Sequence, residues 1–146
     1  MIVRYCAEFR SSLPDDSIED EEGRDFLQFA GKNVATAVSE ILRRLGYEAD
    51  DPMAADNHGW EFEVRVKGYP KGARIWCNVA LIDYYLLVFD NTSSWDRFRK
   101  RHPAPYIEAL RALGREMAAD PRFSEIQWKP PGDDTDGPGS PQPVDD

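Results

Sequence analysis

The sequence predicts an α+β fold in the order β-α-β-β-β-α-β, a mostly antiparallel sheet packed against two main helices. Three observations carry this expectation. Between residues 59 and 90 three strand-like runs follow one another across short turns, which suits an antiparallel meander. The first run alternates apolar with charged side chains, "GWEFEVRVKG" (59–68), the pattern of a sheet with one wet face. Two stretches with helical apolar spacing flank the meander, enough to cover the other face.

The elements are read in order. Val3, Tyr5, Ala7 and Phe9 alternate with Ile2, Arg4, Cys6 and Glu8 and suggest a first strand. "SSLPDDSIEDEEGRD" (11–25) follows as a Pro-containing acidic loop, expected to be a solvated linker. From about Asp25 to Leu45 a helical stripe runs through Phe26, Ala30, Val34, Ala37, Val38, Ile41 and Leu45. Arg43 and Arg44 suit the negative pole of that helix, and Gly46 supplies a left-handed stop. "YEADDPMAADNH" is an irregular connection to strands at about 59–67, 73–81 and 84–90. "WDRFRKRH" is expected to form a short helical piece, broken by Pro103 and Pro105. Ile107, Leu110, Leu113 and Met117 space out the second main helix, and Ile126 and Trp128 suggest a last strand. "KPPGDDTDGPGSPQPVDD" (129–146) contains no aromatic residue and is expected to be a disordered acidic tail on a single domain spanning 1–128.

A chain of 146 residues suits one domain that buries roughly two thirds of the surface its unfolded form exposes. Cys6 and Cys77 lie in apolar runs and are expected to be buried free thiols, as in a reducing cytoplasm. Arg4 and Glu8 interrupt the N-terminal apolar residues, and no run reaches the ~18 apolar residues of a membrane helix. A soluble cytoplasmic protein is the expectation. Net charge is −9, held in the flanks: residues 1–25 carry 3 basic and 8 acidic side chains, and residues 129–146 carry 1 and 5.

Several chemistries find no support. His58 and His102 stand far apart, without a Cys pair or a His-x-x-x-His spacing, so no zinc site is expected. "GYPKGA" lacks the spacing of a phosphate loop, and no Gly-x-Ser-x-Gly elbow is present. No cofactor and no catalytic set are expected.

Residues 29–90 resemble the core of PD-(D/E)XK nucleases, and "LGYEA" leading into a strand with Glu61 or Glu63 is similar to that family's opening. The resemblance implies a pair of metal-binding carboxylates and a lysine that hold Mg²⁺ and polarise water. The next strand, "IWCNVAL" (75–81), offers neither acid nor lysine. The resemblance therefore concerns the fold, which does not by itself carry the activity. "FAGKNVA", "LGYEA", "GWEFEV" and "DPRFSEIQW" together look similar to small bacterial proteins of the immunity-protein and antitoxin type. That resemblance implies a binding role and transfers no residue.

The sheet surface supplies the candidate site. With Trp60, Phe62, Val64 and Val66 facing the helices, Glu61, Glu63, Arg65 and Lys67 face outward. Arg74, Trp76 and Asn78 stand outward on the next strand. Glu61, Glu63, Arg65, Arg74 and Trp76 are thus the candidate partner-binding set, because Trp and Arg anchor protein interfaces. Arg97, Arg99, Lys100 and Arg101 form a basic cluster, the minor alternative for nucleic acid. The expected function is a non-catalytic binding protein that occludes or sequesters a protein partner. Its alternatives are a divalent-metal nuclease-like enzyme using Glu61 and Glu63, or a regulatory module with a small ligand.

Overall fold

A computed structural model describes residues 1–56, 58–69, 74–92, 102–130 and 139–146. The described strands are β1 (Ile2–Val3), β2 (Cys6–Ser11), β3 (Ile18–Glu19), β4 (Phe26–Gln28), β5 (Glu48–Ala49), β6 (Met53–Ala54), β7 (Trp60–Arg65), β8 (Ile75–Leu81), β9 (Tyr85–Asn91), β10 (Phe123–Lys129) and β11 (Val144–Asp145). The described helices are α1 (Lys32–Arg44) and α2 (Ala104–Ala119). The α+β class and the meander are as expected. The helical piece expected at "WDRFRKRH" lies, apart from His102, outside the described residues.

The main sheet runs β10-β2-β9-β8-β7-β5, with β6 also on the outer edge of β7, and every pairing is antiparallel. The first strand therefore does not sit at an edge. β2 is central, aligning Ala7 with Leu87 on one side and with Trp128 on the other.

Alternation decides the faces. Phe62, Val64, Ile75, Cys77, Val79, Leu87 and Phe89 are buried, while the residues between them are only half-buried. Onto the buried face α1 sets Val34, Val38, Ile41 and Leu42, and α2 sets Tyr106, Leu110, Leu113 and Met117. Each such side chain contributes about 1.5–3 kcal/mol of transfer free energy. Tyr106 adds a polar tie, donating its hydroxyl proton to the Phe89 carbonyl at 2.5 Å while its ring stacks on Phe89. Cys6 and Cys77 are free and buried, as expected. Burial, then the charges of Asp90 and Glu8, push the Cys6 thiol up to about 11, and burial alone raises Cys77.

The start of α1 corrects the sequence reading. Phe26 belongs to β4, which pairs with β3 inside the acidic loop, and the helix begins only after Gly31. Gly31 has φ 111°, a conformation other residues reach at a cost. The cap comes from far upstream: the Asp16 carboxylate accepts from the Gly31 and Asn33 amides at 3.0 and 2.7 Å. A carboxylate there satisfies open N–H groups and suits the positive end of the helix dipole. The expected stop at Gly46 is present, with its amide on the Arg43 carbonyl and that of Tyr47 on Leu42. Pro103 caps α2 and Pro105 lies in its first turn, where a proline's missing N–H costs nothing.

The disordered tail is a second correction, over its final eight residues. β11 pairs with β1, Ser140 exchanges both backbone hydrogen bonds with Trp128, and the Arg4 amide donates to Pro143. Val144 is 2% exposed and belongs to the core. Composition misses this because one valine and a few backbone groups suffice once a docking site exists. Gly114 on α2 provides part of that site: a Cβ there would lie 2.7 Å from Pro143. Gly114→Ala should therefore lift the C-terminal segment. The expected outcome is a loss of about 1–3 kcal/mol in denaturant unfolding, with faster proteolysis between 139 and 146 and unchanged helical circular dichroism.

Candidate partner-binding face

The outward residues of β7, β8 and β9 fall into cross-strand ranks. Glu63, Trp76 and Asp90 form one rank, and Glu61, Asn78 and Val88 the next. Trp76 is half-buried between two acidic neighbours. The expected outward set on β7 and β8 is thus brought together, although β7 ends at Arg65 and Lys67 lies in the following turn.

Its charges are arranged against one another. Arg65 holds Asp50 through two hydrogen bonds, 2.6 and 3.2 Å, and reaches Glu48 at 3.2 Å. Glu63, 20% exposed, lies between Arg65 at 3.8 Å and Arg74 at 3.6 Å. Hydrogen bonding from Arg65 holds the Asp50 carboxyl below the usual carboxylate range, and the same contacts raise the guanidinium of Arg65. Arg65 therefore works first as a clamp that fixes β5 to β7. Being solvent-screened, such a clamp sets geometry more than stability. Sequence reasoning missed it because Glu48 and Asp50 come from the connection read as irregular.

The carboxylate chemistry gains nothing from this arrangement. Glu63 is held by arginines, and Glu61 stands opposite Asn78 and Met53. Among the described residues no three His, Cys, Asp or Glu side chains are grouped to hold a metal ion. Arg97, Arg99, Lys100 and Arg101 lie outside the described residues.

Beyond the charged ranks the outer face turns apolar. Ala80, Leu86 and Val88 lead into a groove of about 620 Å³ that Phe26, Phe29 and Ile82 help to line. Phe29 stacks on His58 at 4.2 Å, and its carbonyl accepts from the Trp60 indole at 3.0 Å. One signal for this groove stood in the sequence. "YYLLVF" (84–89) is apolar at successive positions where the strands before it alternate, so its outward residues had to be apolar too.

Compared with protein-family models, curated proteins and solved structures, the chain matches none. Among the described residues no helix is long and apolar enough to cross a membrane.

The Arg65 clamp sets a pH dependence. A carboxylate whose folded value lies below its unfolded value of about 3.9 stabilises the fold above that value, and loses the effect as pH falls through the folded one. Asp50, Asp120 and Asp145 all shift this way, each through an arginine hydrogen bond. Melting temperature should fall as pH drops from about 5 to about 3, and Asp50→Asn should shallow that fall by a small margin. Identical slopes for the two proteins would show that the clamp is energetically silent.

Proposed function

We propose that this chain is a non-catalytic cytoplasmic binding protein that occludes or sequesters a protein partner, in the manner of an immunity protein or antitoxin. The observation that carries the reading is the outer face, where Trp76 stands half-buried beside Glu63 and the surface continues into the apolar strip of Leu86 and Val88. A large aromatic flanked by charge is the usual make-up of an interface hot spot. The clamps on Glu63 and Arg65 support the same reading, since side chains already fixed lose little freedom on association.

The test is capture of a partner from cells of the source organism. Wild type should retain a stoichiometric protein, and Trp76→Ala should weaken retention by about 30-fold, the loss expected of a central aromatic. Glu63→Lys, which reverses the charge between two arginines, should act in the same direction. No retained protein, or retention unchanged in both variants, rejects the reading.

A further inference from the structure

The outer-face groove has an occupant that its chemistry selects. Its floor is the outward side of β8 and β9, at Ala80, Leu86 and Val88, and its walls are Phe26, Phe29 and Ile82. Phe26 is 47% and Ile82 65% exposed, and Leu27 and Ile18 of the adjoining hairpin are exposed as well. Phe26, Phe29, Ile82, Leu86 and Val88 line one groove, unlike the scattered exposed residues that monomers tolerate singly. Its polar lining residues are Asp15, Ser17, His58 and Asn78, and two further acids adjoin the lining. Asp15 lines the groove, Asp83 follows Ile82 in the β8–β9 turn, and Glu61 stands opposite the lining residue Asn78.

None of these three carboxylates has an ion-pair partner among the described residues. Nearby cations are committed elsewhere: Lys129 lies 3.0 Å from Glu8, and Lys32 sits over the Trp60 ring. The groove lies on a sheet face rather than an edge, so it offers an incoming backbone no ladder of hydrogen bonds. A helix, whose backbone is already satisfied, suits such a surface better than a strand. A second copy of this chain does not suit it. A two-fold contact through the groove would bring one acidic rim up to the other.

We infer that the groove docks a basic amphipathic helix of the partner protein, with apolar side chains on Leu86 and Val88 and lysines or arginines toward Asp15, Asp83 and Glu61. The inference rests on the proposed binding role and names the partner's chemistry at the same outer face.

The probe is a pair of labelled synthetic helices with identical leucine spacing, one carrying lysine and the other glutamate at every polar position. Fluorescence anisotropy with the full chain should show saturable binding of the lysine helix alone, weakening as salt rises. Phe26→Ser with Ile82→Ser should weaken it about tenfold, since both remove exposed apolar surface. Asp15→Asn with Asp83→Asn should weaken it and flatten the salt dependence. Glu108→Gln with Glu116→Gln removes equal charge from α2, on the covered side of the sheet, and should change nothing. All substituted side chains are exposed, so melting temperatures should match wild type, apart from a small fall with Asp15→Asn, whose carboxylate accepts from the Ser17 amide at 2.8 Å.

Equal binding of the glutamate helix overturns the inference, as does equal weakening by the α2 pair or indifference to the Phe26 and Ile82 changes. Partner capture separates this failure from failure of the binding role. Capture lost in Trp76→Ala but kept in Phe26→Ser with Ile82→Ser removes the groove and leaves the role standing, whereas a wild type that captures nothing removes both.

Discussion

The fold depends on the insertion of β2 between β9 and β10. Without it the sheet would be two pieces, the meander from β5 to β9 and the strand β10. β2 joins them with two sets of antiparallel backbone bonds, and Ala7 and Phe9 are both fully buried in the core that results. The same insertion aligns Phe9 with Tyr85 and stacks their rings, with Phe123 packed edge-on from β10. One strand from the start of the chain thus specifies how its middle and end meet.

A sheet built this way has two fates for its side chains. Both described helices are spent on one face, and most of the large apolar residues are buried in the core beneath them. The other face carries what the alternation leaves: acids, arginines, one tryptophan and a strip of leucine and valine. The rigidity of the first gives the second its definition. Because Phe62, Cys77 and Phe89 are locked in the core, Glu63, Trp76 and Asp90 are held in rank across three strands.

What was legible in the sequence was periodic and local. The alternation of β7 and β8 located the outward residues correctly, and Gly46 marked the end of α1 where its amide closes the last turn. What was illegible was assembled across the chain. The first turn of α1 is capped by Asp16 from inside an acidic run, and no local pattern distinguishes that carboxylate from its neighbours. Arg65 looked like a free surface charge until β5 brought Glu48 and Asp50 beside it. The groove joins Phe26, Ile82 and Val88, residues from three separate elements. Only "YYLLVF" hinted at it.

The pairing of β1 with β11 bears on the order of folding. The Arg4–Asp145 contact, 2.7 Å long, closes a loop of 141 residues, whereas β8 and β9 meet across the short turn at 82–84. Loop-closure entropy makes the first an improbable early event and the second a cheap one. The β1–β11 pairing completes once β2 has entered the sheet and brought the two ends together. Docking of the C-terminal segment therefore reports completion, and a probe on Val144 would follow the last step of assembly rather than the collapse of the core.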